Sequence, residues 1–145
     1  PLKAYEDLKA FKLFILDVGM LGALSELPPK TLLDGNKIFT EFKGALTEQY
    51  VCQQLKTNKN ISTYYWSAER GNAEVDFLAQ INDAVVPIEV KAEVNLQAKS
   101  LRTFKDKYYP NIAVRTSMRD YRIDDWIMNL PLYGVNFIEQ ALLTK

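Results

Sequence analysis

The sequence predicts an α/β fold in which a mixed central sheet is flanked by helices. Helical and strand patterns alternate along the chain in the order helix, three strands, helix, strand, which is typical of a sheet covered by helices. The length of 145 residues suits one domain with a hydrophobic core, and hydrophobic residues make up 48% of the chain. No internal repeat or low-complexity run indicates a different architecture.

The first part of the chain predicts a short strand at 11–16 and a short helix at 18–27. Two prolines follow this helix, and proline ends helices because it lacks a backbone N–H. A loop is predicted at 31–37. The longest helical stretch follows at 39–58, where apolar residues recur every three or four positions.

The second part predicts the sheet. β-branched and aromatic residues at 61–66 favour a strand. Strands at 73–81 and 84–92 are joined by Asn82-Asp83, two residue types that tolerate the positive φ of a two-residue hairpin turn. The remaining predicted elements are a helix at 97–109, a strand at 112–115, a strand at 132–137 and a short terminal helix.

The predicted hairpin turn sets the register of two charged strands. It places Asp76 opposite Glu89 and Glu74 opposite Lys91, and because side chains alternate along a strand all four share one face. Two facing carboxylates repel each other, and a divalent cation or Lys91 would offset that cost. A half-exposed hairpin shows the same alternation, so a solvated face is the alternative. The opposite face carries Val75, Phe77, Val86, Ile88 and Val90.

A further carboxylate lies on the long helix. Gly44, Glu48, Val51 and Leu55 form one stripe, so Glu48 is expected among residues that face the core. A carboxylate there is costly unless it is paired or bound to metal. The alternative is a glutamate at the helix edge, bonded to a neighbouring lysine or backbone donor.

The composition limits the chemistry of any site. The chain has no histidine and one cysteine, Cys52, which excludes Ser-His-Asp and Cys-His catalysis, an internal disulfide and a four-cysteine zinc site. Carboxylates, lysine, tyrosine and hydroxyls remain, and oxygen ligands favour a hard cation such as magnesium, manganese or calcium. No Gly-x-x-x-x-Gly-Lys-Ser/Thr pattern is present, so we expect no nucleotide binding by a P-loop and no ATPase activity.

The sequence also predicts where the protein resides. The apolar segment 11–24 is interrupted by Lys12 and Asp17, which argues against a membrane span. No basic stretch and cleavage-site pattern opens the chain. We therefore expect a cytoplasmic protein without a membrane partner.

Positive charge is concentrated although the net charge is zero. Seven basic residues lie between 97 and 122 against two acidic ones. This predicts a surface that contacts phosphate, and a solvated helix face is the alternative. The candidate DNA-contacting residues are Arg70, which precedes the acidic strand, and Lys99, Arg102, Arg115 and Arg119.

The order of the charged residues resembles the PD-(D/E)XK nuclease superfamily. That order is a helix glutamate, an aspartate and a Glu-x-Lys, here Glu48, Asp76 and Glu89-Val90-Lys91. The residues around this pattern resemble the domain of unknown function found C-terminal to the ATPase module of prokaryotic AAA-type ATPases. These stretches are Phe42-Lys-Gly-Ala-Leu-Thr-Glu-Gln-Tyr-Val, Ala73-Glu-Val-Asp-Phe-Leu, Val86-Pro-Ile-Glu-Val-Lys-Ala and Pro131-Leu-Tyr.

The resemblance implies a restriction-endonuclease-like core at 38–145. It implies that 1–37 is a linker segment to an N-terminal ATPase module, which is then a partner. In such nucleases the residues matching Asp76, Glu89 and the carbonyl of Val90 hold magnesium or manganese, and the residue matching Glu48 binds a second ion or its waters. The pattern departs from the superfamily at Val75, where proline is usual.

The expected function follows from the same resemblance. Lys91 matches the lysine that orients or deprotonates the attacking water. The expected activity is metal-dependent hydrolysis of phosphodiester bonds in DNA. The alternative is a catalytically inactive domain that binds DNA or protein, or that regulates the same ATPase.

Overall fold

A mixed six-stranded sheet organises the described part of the chain. The computed structural model describes residues 1–28, 30, 40–92 and 97–144. The helices are α1 Val18–Leu24, α2 Thr40–Thr57, α3 Lys99–Tyr108 and α4 Ile138–Leu143, with 3-10 helices at Leu2–Tyr5 and Leu132–Phe137. The strands are β1 Ser62–Ser67, β2 Glu74–Ile81, β3 Ala84–Val90, β4 Ala113–Ser117, β5 Arg122–Asp124 and β6 Ile127–Pro131.

The strand order confirms the predicted fold class. The strands lie in the order β1-β2-β3-β4-β6-β5. The central β3, β4 and β6 run parallel, and the outer pairings are antiparallel. The chain is therefore α/β, with a mixed central sheet flanked by helices. No helix among the described residues is long and apolar enough to cross a membrane.

Each face of the sheet is covered by a hydrophobic layer. On one face, Val51 and Leu55 of α2 pack with Phe77 and Ile88 of the sheet, and Ile138 of α4 belongs to the same cluster. On the other face, α3 covers a smaller cluster made by Val75, Leu78, Ala98, Leu101, Phe104, Ala113 and Ile127.

The predicted hairpin is confirmed, and its register holds as far as the two strands pair, whereas the predicted pairs Asp76–Glu89 and Glu74–Lys91 lie beyond the paired residues. β2 and β3 pair from Ile81 opposite Ala84 to Phe77 opposite Ile88, as the two-residue turn requires. Asn82 in the turn has a φ of 52°, in the left-handed region that asparagine tolerates.

The predicted faces are wrong around Asp76, because β2 is irregular against β1, and Glu74 does not share a face with Glu89 and Lys91. Tyr64 pairs with Leu78 and Trp66 pairs with Val75, so β2 has one more residue than β1 between these pairs. Such an insertion shifts the alternation of side chains by one position. Val75 therefore packs under α3 with Leu78, whereas Phe77 lies on the opposite face. Asp76 lies within the irregular stretch.

Two predicted strands are also wrong. Residues 11–16 form no sheet pairing, because their backbone bonds to side chains of α2 instead. Residues 132–137 are a 3-10 helix, and the strands near them are β5 and β6, which were not predicted. The helices predicted at 18–27, 39–58 and 97–109 are present with shorter ends. The loop predicted at 31–37 lies outside the described residues.

Candidate active site

The charged residues cluster where β2 and β3 separate. Phe77 opposite Ile88 is the last backbone pair of the hairpin on this side. One residue further, the Asp76 carboxylate accepts a hydrogen bond of 2.7 Å from the Val90 amide. β3 then continues beside β4, since the Lys91 amide donates to the Thr116 carbonyl at 2.9 Å. The Asp76 side chain thus bonds to β3 at the point where the backbone pairing of β2 with β3 ends.

Asp76 is held in a setting that opposes its charge. Burial raises its pKa to about 7, against the opposing effect of the Val90 amide, which stabilises the charged form. The negative charges of Glu48 and Glu89 raise this pKa further, and the ammonium of Lys12 lowers it. A positive charge placed next to this buried carboxylate would stabilise its ionised form.

Glu89 is a buried carboxylate that is only half satisfied. Its side chain is 7% exposed, and its Oε1 atom lies 2.5 Å from the Lys91 ammonium. Its Oε2 atom is buried and has no hydrogen-bond partner among the described residues. An unsatisfied buried charged oxygen is rare and costs stability. Glu89 and Lys91 line a cavity of about 260 Å³ next to the first turn of α3.

Lys12 is a site residue that the sequence analysis did not single out. Its ammonium forms an ion pair with Glu74 and lies 3.5 Å from Glu48 Oε2 and 4.0 Å from Asp76 Oδ1. Burial works to lower the pKa of Lys12, but the hydrogen bond to Glu74 and the charges of Glu48 and Asp76 leave it raised. The sequence feature that could have pointed to Lys12 is a lysine that interrupts the apolar segment 11–24.

The N-terminal segment that carries Lys12 is anchored on α2. The Gln49 side chain accepts from the Ile15 amide at 3.0 Å and donates to the Ile15 carbonyl at 2.8 Å. Gln53 accepts from the Val18 amide at 3.2 Å. The Phe14 ring packs against Phe77, with 5.7 Å between the ring centroids. These contacts of Phe14, Ile15 and Val18 fix where Lys12 lies.

The predicted site residues come together as two neighbouring pairs. Glu48 and Asp76 meet through Lys12, and Glu89 meets Lys91. Val90 links the pairs, because its amide bonds to Asp76. Within residues 1–28, 30, 40–92 and 97–144, no three histidine, cysteine or acidic side chains are arranged to hold a metal ion. The predicted ligand set of Asp76, Glu89, Glu48 and the Val90 carbonyl stays a prediction.

The predicted DNA-contacting residues differ in exposure. Lys99 and Arg102 are exposed on α3 and line a second cavity of about 850 Å³, and Arg70 and Arg119 are exposed on turns. Arg115 also borders that cavity but is only 5% exposed. Its Nε donates to Asn129 Oδ1 at 3.2 Å, and burial lowers its pKa.

A family model described as Domain of unknown function (DUF4143) matches residues 43–133. The chain belongs to this family. The matched range runs from within α2 past the end of β6, so it contains Glu48, Asp76, Glu89 and Lys91, whereas Lys12 precedes it. This match confirms the predicted membership in a family of domains of unknown function. Comparison with curated proteins and with solved structures found no significant match.

Proposed function

We propose that this chain is a metal-dependent nuclease domain that hydrolyses phosphodiester bonds in DNA. The observation that carries the proposal is Glu89, whose buried Oε2 lacks a partner beside the Lys91 ammonium. Folding leaves a charged oxygen in that state only at a cost, which a bound cation would remove. Asp76, the second carboxylate at this end of the sheet, also favours added positive charge because burial raises its pKa to about 7.

The residues present fit a hard divalent cation. Asp76 and Glu89 would hold magnesium or manganese together with the Val90 carbonyl, a set made only of oxygens. Such an ion lowers the pKa of bound water and neutralises charge on a phosphate. A histidine-free chain is compatible with this chemistry because the ligands are carboxylates.

The position of Lys91 beside Glu89 supports a role for it as the catalytic lysine. The Lys91 ammonium lies 2.5 Å from the Glu89 carboxylate. The Lys91 side chain is 30% exposed and lines the cavity. A fixed ammonium there stabilises the negative charge that builds up on the phosphate during attack. The ammonium also orients the attacking water, and only the neutral amine form of Lys91 would accept a proton from it.

Binding of DNA is proposed along the first turn of α3. The two cavities share Lys99, and one opens at Glu89 and Lys91 while the other extends to Arg102. Phosphates of one strand can contact Lys99 and Arg102 along the second cavity, which Asp124 and Asp125 also line. Arg70 and Arg119 lie on exposed turns and are proposed as outer contacts.

One observation favours a second candidate, a catalytically inactive domain that binds DNA or protein or regulates an ATPase. Lys12 already forms ion pairs with three carboxylates at this end of the sheet. A site that carries its own cation has less need of metal. In this candidate, the N-terminal segment joins the domain to an ATPase module of the same protein, which is its partner.

Cleavage of DNA tests the two candidates. Plasmid, linear and branched DNA are incubated with magnesium or manganese and with wild type, Asp76→Asn, Glu89→Gln or Lys91→Ala. Asp106→Asn, on the exposed side of α3, is the matched control. The nuclease proposal expects cleavage that the first three variants lose and the control keeps. Equal cleavage by all variants indicates contamination, and DNA binding without cleavage or metal binding supports the second candidate.

A further inference from the structure

The Lys12 ammonium stands where acidic oxygens from two elements converge. Glu48 comes from α2, and Glu74 and Asp76 come from β2. Each lies within ion-pair distance of the same nitrogen atom, and the Lys12 side chain is only 22% exposed. An ammonium in this position offsets part of the acidic charge that these three side chains bring together.

We propose that Lys12 takes the place of a second metal ion, so that the site binds one divalent cation rather than two. Many phosphodiester-cleaving sites use two cations to neutralise the phosphate and its surroundings. Here the Asp76 and Glu89 side would take one cation, and Lys12 supplies the other positive charge from the protein. This inference rests on the proposed function and adds to it a residue that sets the metal stoichiometry.

The distances from the Lys12 nitrogen to the carboxylate oxygens are those of ion pairs and are longer than metal–oxygen bonds. The Lys12 nitrogen lies 3.5 Å from Glu48 Oε2 and 4.0 Å from Asp76 Oδ1, whereas magnesium binds oxygen at about 2.1 Å. The same oxygens cannot contact both cations at once.

The segment has anchors that do not depend on Lys12. Gln49 bonds to both backbone groups of Ile15, and Phe14 packs against Phe77. A neutral side chain at position 12 therefore leaves the backbone in place while removing the charge. Lys12→Met keeps much of the length of the side chain, and Lys12→Arg keeps the charge.

Calorimetric titration with manganese measures the predicted stoichiometry. We expect wild type and Lys12→Arg to bind one ion per chain and Lys12→Met to bind two. Lys9→Met, an exposed lysine of the same segment, is the control and should bind one. In the double variant Lys12→Met/Glu89→Gln one ion should be lost, because Glu89 belongs only to the first site.

A second readout keeps the inference testable if Lys12→Met is less stable. Without divalent cations its melting temperature should be lower than that of wild type. Manganese should raise it by more than it raises wild type, because the ion restores the missing positive charge. A loss of packing alone would not be recovered by a cation.

Other outcomes separate the two proposals. If wild type binds one ion and Lys12→Met also binds one with the same affinity, the inference about Lys12 is wrong and the proposed function stands. Two ions on wild type would likewise overturn the inference alone. If wild type binds none, both the metal-dependent function and the role of Lys12 are overturned.

Discussion

The Asp76 carboxylate accepts a hydrogen bond of 2.7 Å from the Val90 amide. Val90 lies between Glu89 and Lys91 in sequence, so this bond couples the aspartate of β2 to the Glu-x-Lys of β3. It also supplies a partner for a backbone amide that the separating strands leave behind. The geometry of the candidate site thus depends on a side chain that completes a sheet.

Asp76 should make stability depend on pH. In the unfolded chain it loses its proton near its ordinary pKa of 3.8, whereas burial raises the folded pKa to about 7. Between these values the folded state binds more protons, so this contribution to stability is present below pH 3.8 and is lost as pH rises through 7. The difference corresponds to roughly 4 kcal/mol.

Urea unfolding at intervals from pH 4 to 8 measures this effect. The free energy of unfolding of wild type, relative to Asp76→Asn, should fall as the pH rises over that range. Asparagine keeps an oxygen that can accept from Val90, so the comparison isolates the charge. Parallel pH profiles for the two proteins would contradict the prediction.

Glu89→Gln should separate stability from metal binding. Without divalent cations the variant should be less stable than wild type, because it breaks the ion pair of the buried Glu89 with Lys91. Magnesium should stabilise wild type, by about 2.7 kcal/mol at one hundred times the dissociation constant, and should stabilise the variant less. Thermal unfolding with and without magnesium measures both effects.

The matched control for Glu89→Gln is Glu69→Gln. The Glu69 side chain is 89% exposed, so its substitution should change neither quantity. An equal response of wild type and Glu89→Gln to magnesium would argue against Glu89 as a ligand.

Gln49→Ala should release the N-terminal segment. Gln49 is 3% exposed and makes two hydrogen bonds to Ile15, so we expect a loss of about 1–3 kcal/mol. Hydrogen exchange should accelerate at the Ile15 amide, and less at amides of the central strands. Gln140→Ala, an exposed glutamine of α4, should leave the exchange unchanged. Unaltered protection of Ile15 would show that other contacts hold the segment.

Asn129→Ala should loosen the turn after β4. Asn129 is fully buried, accepts from Ser117 and Arg115, and donates to the carbonyls of Arg119 and Asp120. Losing these bonds leaves buried groups unsatisfied and should cost about 2–4 kcal/mol.

Urea unfolding measures that cost, and hydrogen exchange should show faster exchange at residues 118–121. Asn136→Ala, at an exposed position, is the control and should change little. If the turn stays protected in Asn129→Ala, the bonds from Asn129 are not what holds it.

The sequence predicted best what depends on local pattern. The Asn82-Asp83 turn gave the hairpin register, and the spacing on the long helix placed Glu48 toward the sheet, where it pairs with Lys12. That pairing matches the alternative of a glutamate bonded to a lysine. The short β5 and β6 were missed because three to five residues carry too little pattern to distinguish from a turn.

The remaining differences arise from contacts between distant parts of the chain. Lys12 reaches the carboxylates only because Gln49 holds the segment on α2, and no local pattern encodes that contact. The irregularity at Asp76 moves Val75 to the face under α3, and a single inserted residue leaves no mark in the alternation of residue types. Arg115 belongs to a charged stretch, but its position in a central strand buries it.

The anchoring of residues 11–18 on α2 bears on how the domain can be divided. A fragment cut at the limits of the family match would keep Glu48, Glu74, Asp76 and Glu89 but lose Lys12. It would also lose Val135 and Ile138 from the core beneath α2. Such a fragment would carry, at the end of the sheet, acidic charge that Lys12 no longer offsets. Its affinity for divalent cations would therefore differ from that of the intact chain.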